Sequence, residues 1–218
     1  MNRLLLILYL VPALLASIPA AAQNGWQELF NGRDLSGWKA NAYPGSWSVV
    51  DGLLRAQATK ESSHLFFVGD SGGDFAVFKD FELEVEARGE LDSNSGIFIH
   101  TSLESHGPKQ HLSKGYEIQL NSTQKELRKT GSLYAVVDLD KSALDESQWF
   151  KVRIIVKGRR IMIRVNDKVV VDYREPPRVV RPQNRAGRLL NPAGGAIALQ
   201  AHDPKSVFYF KSVRIRPL

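Results

Sequence analysis

No cysteine occurs anywhere in the 218 residues. Disulfides are excluded, and so is a lipid anchor on a cysteine behind a leader, so the fold must hold by its core alone. Sustained helical periodicity is also missing, which removes bundles and α/β layers. The one long apolar run, Leu4 to Leu15, follows Arg3 and precedes Ala20-Ala21-Ala22. That pattern reads as a cleavable secretory leader over 1–22 and is too short for a spanning helix. A periplasmic or secreted protein without a stable membrane anchor is therefore expected, with residues 23–218 forming one domain without internal repeats.

Other absences narrow the chemistry. There is no G-x-S-x-G elbow, so a serine hydrolase is not supported. The glycine cluster Gly69–Asp74 is followed by neither lysine nor a helix, so it is a connection and not a phosphate cradle. His64, His106 and His111 follow no metal-ligand spacing. The formal charge of +6 is concentrated in a proline-containing loop, where Arg174, Arg178, Arg181, Arg185 and Arg188 stand without interleaved aromatics. A solvated loop is the expectation there, and export argues against nucleic acid as partner.

What is present is period-2 alternation. Gly115-Tyr116-Glu117-Ile118-Gln119-Leu120 places Tyr116, Ile118 and Leu120 on one face and Glu117 and Gln119 on the other. Phe81–Arg88, Gly96–His100 and Ala196–His202 repeat the arrangement. Trp47–Val50 and Leu53–Ala56 flank an Asp-Gly hairpin turn, Thr130–Tyr134 enters another strand, and Trp149–Val156, Arg160–Val165, Lys168–Tyr173 and Val207–Ile215 read as further strands. An all-β, antiparallel β-sandwich follows.

Parity then selects candidate site residues. With Ile97, Ile99, Ile197 and Leu199 toward the core, Phe98, His100, Gln200 and His202 face the other way. Glu82, Glu84 and Glu86 share a face of their strand. Glu82 and Glu84 are expected to be solvated, whereas Glu86 lies nearer the turn to His100 and is the better candidate. If these strands neighbour Glu117 and Gln119, one open face collects carboxylates, imidazoles, amides and an aromatic platform. Such a face suits a sugar. Glu117-Ile118-Gln119 lacks a second closely spaced acid, so a conventional two-carboxylate glycosidase would need one from elsewhere, such as Glu86.

Several blocks carry a resemblance. Leu29-Phe30-Asn31-Gly32 through Gly37-Trp38, Trp47–Leu53, Asp80–Arg88, Asn94–Phe98 (NSGIF), Gly115–Gln119 (GYEIQ), Thr130–Tyr134 (TGSLY) and Gly195–His202 (GAIALQAH) run in the order found in the 3-keto-disaccharide hydrolase family. The chain resembles that family over nearly all of residues 28–218. The resemblance implies a concanavalin-like jelly roll that cleaves glycosides already oxidised at sugar C3. A C3 ketone acidifies the C2 proton, so a base removes it, the C1 substituent leaves, and water adds back. On this reading Glu86, His100, Glu117 and His202 supply the base and any metal ligands, a divalent ion on Glu117, His100 and His202 being the one cofactor implied and no organic cofactor being needed. Gln119, Gln200 and Asn94 position hydroxyls of an oligosaccharide or glycoside, beside Phe98 and Arg88, and Tyr134 or Tyr116 acts as acid. Many relatives end the NSGIF block with arginine where this chain has His100. A noncatalytic carbohydrate-binding module is the alternative on the same face.

Overall fold

A computed structural model describes residues 25–69, 75–103, 111–142 and 144–218. The expected leader, most of the Gly69–Asp74 connection and His106 lie outside the described residues. Thirteen strands follow in chain order: β1 (Gln27–Glu28), β2 (Trp38–Ala40), β3 (Trp47–Val50), β4 (Leu53–Ala56), β5 (Ser63–Phe67), β6 (Phe81–Gly89), β7 (Asn94–Thr101), β8 (Tyr116–Asn121), β9 (Phe150–Lys157), β10 (Arg160–Val165), β11 (Lys168–Arg174), β12 (Ala196–Ala201) and β13 (Phe208–Pro217). They form two antiparallel sheets. The larger runs β11-β10-β9-β6-β13-β4-β3, with β1 also on β13, and the smaller runs β2-β5-β12-β7-β8.

The core lies between the sheets and is built by the alternation that the sequence displays. Leu83, Val85, Val152, Ile154, Val213 and Ile215 of the large sheet meet Leu65, Ile97, Ile118, Leu120, Ile197 and Leu199 of the small one, all essentially without solvent exposure. Burial of such side chains contributes roughly 1.5–3 kcal/mol each, enough to hold an uncrosslinked sandwich together.

Two differences from the sequence expectation bear on function. The first is that β6 pairs with β9 and β13 in the large sheet, not with the strands carrying Glu117 and His202. Its acids therefore face outward on the opposite side of the molecule. Glu82 and Glu84 are not solvated there but only 5% exposed. Glu84 accepts hydrogen bonds from Arg153 and Arg214 (2.6 Å to each Nη2), and Glu82 is ion-paired with Arg216. The reason lies in register, since Arg153 and Arg214 stand directly across from Glu84, and Arg216 across from Glu82. Opposite charges on neighbouring strands meet at cross-strand distance.

The second concerns Thr130–Tyr134, which forms no named strand. It runs beside β8 through Gly131 N–H to Gln119 O (2.9 Å), Gln119 N–H to Ser132 O (3.0 Å) and Tyr134 N–H to Glu117 O (2.9 Å). It then doubles back at Ala135, whose φ is 58°, so that Leu133 bridges Val137.

Candidate active site

The outward face of the small sheet carries a cavity of about 490 Å3. Three neighbouring strands, β12, β7 and the edge strand β8, provide its floor through residues opposite the core-facing set. β8 supplies Glu117 and Gln119, β7 supplies Asn94 and Phe98, and β12 supplies Gln200, with His202 just past its end. β5 adds His64, across from Gln200 in register. Ala196 and Ala198 pack with Phe66, Phe98 and Leu112 beneath, so small residues keep the floor low. Space above Gly96 is taken by the carboxylate, since a Cβ there would sit 3.0 Å from Glu117 Oε1.

The arginine loop between β11 and β12 closes one wall. It is not simply solvated, because Arg188 is only 4% exposed and its Nη2 donates to Glu117 Oε2 at 3.3 Å. Two contacts fix it. Gly187 lies so close to the backbone that a Cβ would come within 2.3 Å of Ser113 O, and Gly115 N–H donates to Gly187 O (3.0 Å). Arg181 donates from Nε to Arg188 O (3.2 Å) and from Nη2 to the hydroxyls of Tyr116 (3.1 Å) and Tyr173 (2.9 Å).

Seven expected site residues come together here: Asn94, Phe98, Glu117, Gln119, Tyr134, Gln200 and His202. The other four do not. Glu86 is on the outer face of the large sheet with Lys211 Nζ at 2.9 Å, and Arg88 on that face stacks over Trp149 and Tyr209, 5.2 Å from each ring centre. Alternation assigned their face correctly but could not say which sheet. Tyr116 faces the core and donates its hydroxyl proton to Glu175 Oε2 (2.5 Å), so it anchors the loop from behind. Burial and the Glu175 carboxylate push the Tyr116 phenol far up, which removes it as a proton donor to a substrate.

His100 is displaced by a bulge. Between Ala196 and Ala198 on β12, the partner strand β7 advances from Thr101 to Phe98, one residue more than its partner, and His100 has φ 52°. The extra residue inverts the parity, as bulges do. His100 Nε2–H then donates to Lys79 O (2.8 Å), and Nδ1 accepts from Asn191 N–H (3.1 Å). Phe98, expected as a stacking platform, is instead capped by the Arg188 guanidinium, 5.7 Å from its ring centre.

Sequence reasoning underrated His64, Arg185 and Arg188. The parity of β5 could have singled out His64, which shares a face with Phe66, whereas no period marks the loop arginines.

The electrostatics are those of a recess with buried charges. Burial pushes the Glu117 carboxyl up, and Arg188 opposes this without cancelling it. Burial lowers the Arg188 guanidinium, with Glu117 pulling the other way. His64 is fully buried and held down to about 3 by desolvation, so it is neutral. It accepts from Gln200 Nε2 at 3.4 Å, which leaves the proton on Nδ1. Tyr134 lies near the guanidiniums of Arg128 (4.6 Å) and Arg185 (5.0 Å), with its hydroxyl 3.5 Å from Glu126.

Four buried polar atoms of cavity residues have no partner among the described residues: His64 Nδ1, Gln119 Oε1, Gln200 Oε1 and Arg188 Nη1. Leaving such groups unpaired costs about 1–3 kcal/mol apiece, so their gathering around one cavity marks a place built for a polar ligand.

A divalent ion is a poor fit. Among the described residues no three His, Asp or Glu side chains gather as a metal site. Glu117 is paired with Arg188, His202 with Asp203, and both ring nitrogens of His100 are taken by main chain.

Fold and recess together define a lectin-like jelly roll with a ligand cavity on its short sheet. The chain belongs to the 3-keto-alpha-glucoside-1,2-lyase-like domain family, whose sequence model matches residues 25–216. It is similar to a 3-keto-disaccharide hydrolase of Bacteroides thetaiotaomicron, 26% identical over 173 residues, which is 69% of this chain and 59% of the relative. It therefore spans about three fifths of the length of that curated relative. Among solved structures, a candidate glycosyl hydrolase from Parabacteroides distasonis superposes with a TM-score of 0.69 at 21% identity, covering 89% of this chain and 94% of that one. The VIP36 exoplasmic/lumenal domain, solved with Ca2+ and Man3GlcNAc, superposes at 0.55 with 12% identity over 84% and 83%. Both likenesses concern the fold.

Proposed function

We propose that this protein cleaves 3-keto-glycosides by proton abstraction at C2 and elimination at C1, followed by hydration. The observation that carries this reading is the meeting of Glu117, Arg188 and the unpartnered polar atoms of His64, Gln119 and Gln200 around one recess. The family match and the name of the Bacteroides relative agree with it.

Each part of the chemistry has a side chain suited to it. Glu117 takes the C2 proton, because a carboxylate raised by burial is a stronger base than an exposed one. Its Oε1 is not engaged by Arg188, which holds Oε2. As the proton leaves, charge develops on the C3 oxygen as an enolate. Arg188 Nη1 and the neutral Nδ1–H of His64 are the donors left over to hold it, and preorganised donors in a water-poor site act most strongly on charge that develops during the reaction. Gln119, Gln200 and Asn94 bind ring hydroxyls. Gln119 Nε2 donates to Asn94 Oδ1 (2.8 Å), which fixes the amide and leaves its buried oxygen an acceptor without a partner among the described residues. The C1–O bond then breaks as the C1–C2 double bond forms, and an acid protonates the departing oxygen to an alcohol. Water adds its proton at C2 and hydroxide at C1, and Glu117 gives its proton back to reset that acid.

Incubation of the purified protein with a 3-keto-disaccharide and its unoxidised parent tests the assignment. Release of sugar from the oxidised compound alone is expected. Cleavage of the parent would point to a conventional glycosidase, and binding of either without turnover to a lectin-like module.

A further inference from the structure

A second depression, about 690 Å3, adjoins the first and shares Asn94, Glu126 and His202 with it. Its remaining lining comes from the β6–β7 turn, the segment after β8 and the turn after β12, including Asp92, Gln124, Lys125 and Lys205. Among the described residues Leu91 is its one large apolar side chain, 84% exposed, and no phenylalanine, tyrosine or tryptophan lines it. Flat aromatic aglycones are held by apolar and aromatic walls, whereas a hydroxyl-rich group is held by carboxylates, amides and ammonium groups.

His202 stands at the seam. Its Nδ1–H donates to Asp203 Oδ2 at 2.7 Å, and Asp203 is itself fixed by the Ser206 hydroxyl (2.9 Å) and by the backbone N–H groups of Lys205 (2.8 Å) and Ser206 (3.0 Å). Burial opposes ionisation of Asp203, yet the hydrogen bonds from His202 and Ser206 outweigh it and hold its carboxyl below the usual range. A carboxylate fastened this way orients the imidazole through Nδ1, which leaves Nε2 as the end free to meet a substrate.

We propose that the second depression takes the leaving sugar, and that His202 delivers a proton from Nε2 to the departing glycosidic oxygen. The assignment rests on the elimination reading above and fixes the direction of the substrate, with its oxidised ring over Glu117 and its leaving ring toward Lys205. In the step, the C1–O electron pair accepts the His202 proton, so the leaving sugar departs as a neutral alcohol. The C2 proton passes to Glu117 and the imidazolium becomes imidazole.

The test compares kcat/KM for a 3-keto-disaccharide with that for 4-nitrophenyl 3-keto-glucoside, whose nitrophenolate departs without needing a proton. His202→Asn should lower the disaccharide value about 10²-fold more than the aryl value, in line with the usual contribution of a general acid. Lys205→Ala should lower it about tenfold more, the scale of one lost hydrogen bond to a charged group. Equal losses on both substrates for His202→Asn would overturn the acid role. No selective loss for Lys205→Ala would overturn the subsite. Failure of the wild-type protein to release either leaving group would instead bring down the elimination reading, and this assignment with it.

Discussion

The outer faces of the two sheets are made from the same materials and come out opposite. On the large sheet, Glu82 and Glu84 alternate with core residues and are met across the strands by Arg153, Arg214 and Arg216. Trp26 packs beneath two of those guanidiniums, 4.9 and 5.0 Å from its ring centre. Each carboxylate is satisfied within the plane of the sheet. On the small sheet, Glu117 has no cross-strand arginine, for Phe98 stands opposite it, and its cation arrives from a loop. One guanidinium nitrogen and three other polar atoms have no partner there among the described residues, against Arg216 Nε on the large sheet. A carboxylate answered by its neighbours is architecture, while one answered from outside the sheet, with donors to spare, is available for chemistry.

Substitutions at matched positions on the two faces can break that contrast. The largest effect is expected from Glu117→Gln, which should reduce kcat/KM on a 3-keto-disaccharide about 10³-fold in steady-state assays if the carboxylate is the C2 base. A variant within tenfold of wild type would remove it from the chemistry.

Next comes Arg188→Gln, expected to lower kcat about 10²-fold, the scale of one lost transition-state donor. It should also move the acid limb of the pH–rate profile upward. Burial already raises Glu117 and Arg188 partly offsets it, so without Arg188 the carboxylate protonates at still higher pH and the base form is lost earlier on acidification. An unmoved limb would detach that limb from Glu117.

On the other face, Glu84→Gln should leave turnover per folded molecule unchanged and cost about 1–2 kcal/mol in urea unfolding. The loss stays below that of a fully buried pair because Arg153 and Arg214 are each 33% exposed and can turn to water. Burial opposes the ionisation of Glu84, and its two arginines overcome it to hold the carboxyl low. Its contribution is thus present above the ordinary carboxylate range and fades as pH falls through the lowered value. Wild type and variant should converge in acid.

Alternation made much of this legible. The strand reading gave a two-layered sandwich, and parity set Glu117, Gln119, Phe98 and Gln200 opposite the core, which the pairing of β7 with β8 and β12 turns into one surface. It went astray wherever a face is decided by something other than period two. Glu86 and Arg88 have the right parity on the wrong sheet, and only the arginines of β9 and β13 reveal their neighbours. His100 is turned inward by one extra residue in β7, which no hydropathy pattern records. Arg188 was grouped with a solvated loop because a side chain buried through Gly187, Ser113 and the Arg181 contacts leaves no periodic trace.

The stretch bearing Arg188 leaves the edge strand of one layer at Arg174 and is fastened to the other layer at Gly115. Its tether at Arg181 grips a tyrosine from each layer, Tyr116 and Tyr173. The recess therefore acts as a gauge of how well the two halves of the sandwich are seated. A slip at the outer strand would be felt first as a misplaced guanidinium, and the proposed catalysis would fade before the body of the protein came apart.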